Sequence, residues 1–335
     1  MARVTIVTAA RNAAAFVAET IESIQAQTFA DWDYVVVDDA STDATAQIVE
    51  GFAARDPRIR LERLDESVGA YAAANTAMLR VGSAYLARLD ADDVAAPTRL
   101  QRQLDALAAH PEARGCTGAW RAINETGAEI GGVRPVRSHR NAVLKWTFCV
   151  RSNLVHSTML VDTEWFQAFG GYGPERYAED FRIWAALVRE GKLAVLDELL
   201  VRYRMHADQI TAEPGVRDQP ERQRVRLDHL QRCAPGDWTL EDARDLRYVG
   251  RPAPFHLRRG LELLARWEAA WRTDATLDAG DRKELAALTG RAYFAQLRHA
   301  RAGRPRQVAT EAARHWPRAV RALRGVGAYR AARWE

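Results

Sequence analysis

Three carboxylates stand within four consecutive residues, Asp90-Ala91-Asp92-Asp93. Hard divalent cations such as Mg2+ and Mn2+ prefer oxygen donors, take few from protein, and fill the rest from water or phosphate. A plainer use of aspartates is to cap a helix, here the one after Pro97. One Asp would fit that use; three at the end of an apolar strand point to a cation and its anionic ligand. A second acidic pair, Asp38-Asp39, ends the run Tyr34-Val-Val-Val37, with Ser41 and Asp43 adding turn chemistry. A third, Glu179-Asp180, opens a segment with Phe181, Trp184, Leu187 and Val188 at helical spacing. In isolation that pair reads as the charged first turn of a helix. His206 follows Tyr203-Arg204-Met205.

The elements that must position these residues alternate. Val4–Thr8, Tyr34–Val37, Ile59–Leu61 and Tyr85–Leu89 are short apolar or β-branched runs, as expected of strands covered on both faces. Residues 14–26, 43–54 and 70–81 between them carry helical spacing. This order predicts an α/β fold with a mostly parallel, twisted sheet. Ligands of such sheets bind beyond the carboxyl ends of the strands. Thr8–Asn12, Asp38–Asp43 and Asp90–Asp93 all fall there, which argues for a single site. Further on, a helix is expected from Pro97 to Ala109 and a hairpin over 115–133 with Asn124–Gly127 as its turn. Strands are expected at Asn153–Val161, Leu193–Leu196 and Leu199–Arg204, and a helix at Ala178–Glu190. The polar stretch Glu213–Pro220 reads as a linker. It divides the chain into an α/β domain, 1–213, and an α-helical C-terminal region, 221–335. Residues 292–317 suggest a short helical hairpin similar to one tetratricopeptide-type pair.

The 335 residues are 47% apolar and 27% charged, ordinary for a globular chain. The net charge of +4 hides an asymmetry. Residues 214–335 hold 25 Lys and Arg against 15 Asp and Glu, whereas residues 1–213 hold 23 against 29. An acidic front half does not suit a nucleic-acid face. Cys116, Cys149 and Cys233 are widely spaced, without metal-ligand spacing, and read as free thiols. The N-terminus lacks a signal-peptide run, and no stretch approaches the length of a transmembrane helix. A cytoplasmic protein is expected, with any membrane contact peripheral.

Taken in order, these residues resemble the inverting, non-processive family 2 glycosyltransferases of GT-A fold. The resemblance covers roughly residues 2–211. It rests on Ala10-Arg-Asn12, Ser23–Thr28, Val36–Thr45, Gly69–Asn75, Leu89–Asp93 with Pro97 and Leu100, Gly170-Gly-Tyr172 with Glu179-Asp180, and Tyr203–His206. It implies transfer of one sugar from a nucleotide-sugar, UDP-sugar favoured, to a glycan or lipid-linked acceptor, as in surface polysaccharide synthesis. It implies a divalent cation, Mn2+ or Mg2+, held by Asp92 with His206, and Asp180 as the general base. Thr8, Ala10, Arg11, Asn12, Asp39, Asn75, Asp90 and Ala91 would line the donor, Asp39 meeting the base. His156, Glu179 and Arg182 would face the acceptor. Two positions depart from the family: its usual Arg is Ala74, and an Asp often found after Glu-Asp is Arg182. The Gln-x-x-Arg-Trp motif of the processive synthases is absent.

Residues 298–333 contain ten Arg and one acid, Glu311. They read either as a peripheral contact with anionic lipid at the inner membrane face, or as the solvated face of helices that pack or dimerise. Two other functions compete with catalysis. A non-catalytic nucleotide-sugar- or partner-binding module could share the fold. A nucleotidyltransferase would want a Gly-rich basic first loop, which Thr8-Ala-Ala-Arg-Asn12 is not.

Overall fold

A computed structural model describes residues 2–150, 152–174, 178–207, 209, 219–234, 236–249 and 257–300, with backbone only for 294 and 297–300. The chain forms two compact units, Met1–His139 with Asn153–Gln219, and Arg140–Ser152 with the residues from Pro220 on.

The first unit is built on a nine-stranded sheet. Its parallel half comprises β1 (Val4–Ala10), β2 (Trp32–Asp38), β3 (Ile59–Arg63) and β4 (Tyr85–Arg88), in the order β3-β2-β1-β4. Helices α1 (Val17–Gln25), α2 (Thr45–Ala53) and α3 (Ala70–Met78) make the crossovers. All seven residues of β1 are buried, as helices on both faces require. Pairing Ala10 with Asp38 across the β1–β2 ladder brings the first two polar loops to one edge.

The other half is mixed. Its elements are β5 (Val94–Ala95), α4 (Arg99–Ala109), β6 (Gly115–Ile123), β7 (Glu129–Arg134), β8 (Leu160–Asp162), α6 (Thr163–Ala168), α7 (Glu179–Arg189) and β9 (Leu193–Arg204). Strand β8 runs antiparallel to β4 and β6, and β9 lies parallel to β6. Strand β5 leaves the acidic turn and pairs antiparallel with β9, Val94 opposite Arg202. That pairing returns the end of β9 to the acidic turn.

The expected hairpin forms as β6–β7. Asn124 Oδ1 accepts from the backbone N–H groups of Thr126 and Ala128, and Gly127 takes φ 82°, a left-handed value that favours glycine. Two expectations are corrected. Asn153–Val161 is not one strand, because the Thr158 hydroxyl and N–H both donate to the Val155 carbonyl and close a 3-10 turn over His156–Thr158. The two short strands expected over 193–204 are one. Against β6, Asp197 and Glu198 are extra residues, absorbed as a bulge between the pairs Gly118–Leu196 and Ala119–Leu199.

The second unit contains α5 (Asn141–Phe148), which the sequence pattern leaves unassigned, with α8 (Pro220–Cys233), α9 (Leu240–Leu246), α10 (Leu257–Thr273) and α11 (Ala279–Ala300). Residues 140–152 therefore group with the C-terminal helices across the 213–220 boundary drawn from composition. Trp146, Leu230, Leu264, Trp267, Trp271 and Tyr293 form its core. Asp274 accepts from Lys145 Nζ and Trp146 Nε1, both at 2.9 Å, which ties α5 in place. None of the three cysteines, Cys116, Cys149 and Cys233, is in a disulfide. Among the described residues no helix is long and apolar enough to cross a membrane. The helical hairpin expected over 292–317 and the basic stretch 298–333 lie outside the described residues, except where α11 reaches Ala300.

Candidate active site

The acidic turn is gripped by three arginines that are almost wholly buried, Arg88, Arg99 and Arg204. Arg88 pairs with Asp90 at 2.9 Å and donates to the carbonyls of Val7 and Leu89. Arg99 donates to the carbonyls of Arg88 and Met159. Burial lowers its pKa to about 10, so it keeps its charge at neutral pH. Arg204 donates to the carbonyls of Asp92, Asn124 and Glu125 and to the Glu19 carboxylate, and its own N–H donates to Asp93 Oδ1. The signal for these residues was Arg88 itself, a charge inside an otherwise apolar strand.

The three turn carboxylates have different surroundings. Asp93 is fully buried, and burial together with Asp92 and Asp90 holds its pKa well above the usual range. It is a structural pin between the turn and β9. Asp92 is partly accessible, and its Oδ2 lies 2.9 Å from His206 Nε2 and 3.3 Å from Gln209 Nε2. Burial, then the Asp90 charge, raises its pKa. Asp90 keeps about a third of its side chain exposed, at 35%. Among the described residues no cluster of three or more His, Cys, Asp and Glu is arranged around a metal. Two neighbouring ligands of an octahedral cation with bonds of about 2.1 Å stand ~3 Å apart. The Asp92–His206 separation is that of a direct hydrogen bond and is also compatible with that edge, so the donor types suit a cation that would take its other ligands from phosphate and water.

On the donor side, the Asp39 carboxylate is 2% exposed and ties down the loop before α3. Its Oδ1 accepts from Val68 N at 2.7 Å, and its Oδ2 accepts from Ser67 Oγ at 2.8 Å and Gly69 N at 3.0 Å. The Ala10 carbonyl accepts from Asp39 N. Thr8 is buried, its hydroxyl shared between Tyr34 and the Leu89 carbonyl. Arg11 is exposed and donates to Ser67 Oγ. Asn12 takes a left-handed φ of 49°. Its Oδ1 accepts from Thr42 N, and its own N–H donates to Ser41 Oγ. Asn12 thus clasps the first two loops together, and its side-chain acceptor is turned to Thr42. Ala91 is buried and joins the core.

Asn75 is likewise occupied. Its Nδ2 donates to the Tyr172 carbonyl and its Oδ1 accepts from Tyr172 N, at 2.8 and 3.0 Å. It acts as a strut under the Gly170-Gly171 turn, whose φ angles of 85° and 66° favour glycine. Tyr172 presents its hydroxyl 2.7 Å from His156 Nε2, and Tyr71 packs edge-on against Tyr172. Asp180, on the first turn of α7, is partly exposed, and Glu179 beside it is buried. Arg182 places its guanidinium over the Phe169 ring at 4.4 Å, and Phe169 stacks on Trp165. Trp184 is core. Trp120 lies edge-on to Tyr203 and under Arg134.

His156 is 6% exposed, and burial lowers its pKa to about 4 from an ordinary 6.5. Between those values the unfolded chain binds the extra proton, so this group's contribution to stability is complete above pH 6.5 and is lost as pH falls towards 4. The loss is on the order of 3 kcal/mol. Urea titrations from pH 7 to 4 should show a shallower fall for His156→Gln than for the wild type; parallel curves would refute the assignment.

Residues 5–167 match the family model described as Glycosyl transferase family 2. The first unit is a family 2 glycosyltransferase domain. The chain is 27% identical over 212 residues to the putative teichuronic acid biosynthesis glycosyltransferase TuaG of Bacillus subtilis, covering 62% of this chain and 81% of TuaG. It is 25% identical over 211 residues to the Escherichia coli protein WfgD, named as a UDP-Glc:alpha-D-GlcNAc-diphosphoundecaprenol beta-1,3-glucosyltransferase, covering 62% and 79%. The S. aureus TarS 1–349 structure in complex with UDP-GlcNAc superposes with a TM-score of 0.57 at 15% identity, over 94% of this chain and 92% of that one. Mannosyltransferase PcManGT from Pyrobaculum calidifontis, in complex with GDP-Man and Mn2+, gives 0.50 at 17% identity, over 95% and 86%. These likenesses establish a GT-A fold, and the glycosyltransferase family makes the chain an enzyme of that class.

Proposed function

We propose that the enzyme moves one sugar at a time from a nucleotide-sugar, UDP-sugar favoured, to a hydroxyl of a glycan or lipid-linked acceptor in polysaccharide synthesis. The anomeric centre inverts. The observation that carries this reading is a shared electrostatic field. Asp90, next to the proposed donor site, and Asp180, on the acceptor side, both act on the half-buried Tyr71 and on the buried His156 and Tyr172. Two carboxylates from distant parts of the chain thus face one cluster, as a single displacement between donor and acceptor requires.

Asp180 takes the acceptor's proton as the hydroxyl attacks, while His156 Nε2 is already engaged by the Tyr172 hydroxyl. Asp90, fastened by Arg88, orients the sugar or ribose. Asp92 Oδ2 and His206 Nε2 would hold Mn2+ or Mg2+, which supplies charge neutralisation to the departing diphosphate. His206 packs against Phe16 at 5.0 Å between ring centroids, which holds the imidazole in place. The names of WfgD and TuaG support a lipid-linked or polymeric acceptor.

A thermal-shift panel of UDP-, GDP- and TDP-sugars with and without Mn2+ tests the reading. A UDP-sugar at a hundred times its Kd should add about 2.7 kcal/mol of stability. The gain should need metal and vanish in Asp92→Ala. No shift from any donor would overturn the proposal.

A further inference from the structure

Solved structures of this fold include one in complex with UDP-GlcNAc and one in complex with GDP-Man, so the fold does not choose the base. The choice must lie in the residues around Asp39. Building on the donor site proposed above, we infer that Arg11, tethered through Ser67 to Asp39, is a base-reading residue that makes the site selective for uracil over guanine.

The argument is one of donors and acceptors. An ionised carboxylate offers about four lone-pair directions, two on each oxygen. Asp39 Oδ2 spends both of its own on Ser67 Oγ and Gly69 N. Oδ1 spends one on Val68 N. A single acceptor direction is left. Guanine presents two adjacent donors, its ring N–H and its amino group, and needs two carboxylate acceptors side by side. Uracil presents one ring N–H flanked by two carbonyls, and needs one acceptor with a donor beside it.

Arg11 supplies that donor. Its Nη1 donates to Ser67 Oγ at 2.5 Å, and Ser67 donates onward to Asp39 Oδ2, so one hydroxyl links the guanidinium to the carboxylate that keeps a free lone pair. Among the described residues Arg11 has no carboxylate partner, and four of its five N–H groups carry no hydrogen bond. On α3, position 74 is a fully buried Ala and offers no charge, whereas Arg11 reaches the Asp39 carboxylate through Ser67.

Equilibrium binding of UDP and GDP in the presence of Mg2+, to the full chain and to Arg11→Ala and Asp39→Asn, tests the inference. The wild type should prefer UDP by at least about tenfold. Arg11→Ala should lose about tenfold for UDP and less than twofold for GDP, so the preference collapses. Equal losses for both nucleotides would mean that Arg11 meets phosphate, and would overturn the inference. Unchanged UDP affinity in Arg11→Ala would overturn it too. Asp39→Asn separates the two levels. If it abolishes UDP binding while Arg11→Ala does not, only the role of Arg11 falls. If neither variant matters, the placement of the base at Asp39 falls as well. Thermal melts of both variants control for misfolding, and Arg11→Lys should restore less than half of the lost preference, because an ammonium has all its donors on one nitrogen and lacks the planar fork that reaches Ser67 and the base from separate nitrogens.

Discussion

Asp180→Asn should lower kcat by about 10²–10⁴-fold, the range expected when a positioned general base is removed. That is about 3–5 kcal/mol on the barrier. The substitution keeps the shape of the side chain and removes its ability to take a proton. Nucleotide binding with Mn2+ should be unchanged, since the proposal puts Asp180 on the acceptor side and the donor at the loops around Asp39 and Asp92. The measurement is release of nucleoside diphosphate with acceptor present, alongside thermal shift with donor alone. A kcat within threefold of wild type would remove Asp180 from the mechanism. A loss of donor binding equal to the loss of rate would mean that it holds substrate instead.

Arg204→Met should cost about 3–5 kcal/mol of folding stability, because three part-buried carbonyls and the Glu19 carboxylate lose their donor together. The guanidinium, 1% exposed, serves the carbonyls of Asp92, Asn124 and Glu125 at once and lies over Phe16 at 4.9 Å. Met fills much of the volume, so lost hydrogen bonds rather than a cavity dominate. Arg204→Lys should recover little, since an ammonium cannot reproduce the planar fork. Urea denaturation reads the effect. A loss below about 1 kcal/mol would show that water replaces the guanidinium at these carbonyls. The same variant should weaken metal-dependent donor binding, because the Asp92 backbone is one of the groups released.

Much of the parallel half was legible because its physics is local. Val4–Thr8 and Tyr34–Val37 read as strands from apolar runs alone. The rule that ligands gather at the carboxyl ends of parallel strands places three polar loops together from the sequence alone. The hairpin turn at Asn124–Gly127 was legible because Asn and Gly each solve a backbone problem there. Where a short-range hydrogen bond competed with pattern, as at Thr158, the pattern misled.

What each polar residue in the site does was another matter. The types and order of Asp39, Asp90, Asp92, Asp180 and His206 are written in the sequence, as is the family they resemble. A side chain's partners depend on which segments meet, and those partners lie 13 to 114 residues apart in the chain. Only tertiary structure turns Asn12 towards Thr42, Asn75 towards Tyr172, and Arg182 onto Phe169. Only burial separates Asp93, a pin inside the fold, from Asp92, which remains accessible beside His206. The carboxylates were determined by composition and order; which of them can meet a ligand was decided by how many of their lone pairs the fold had already taken.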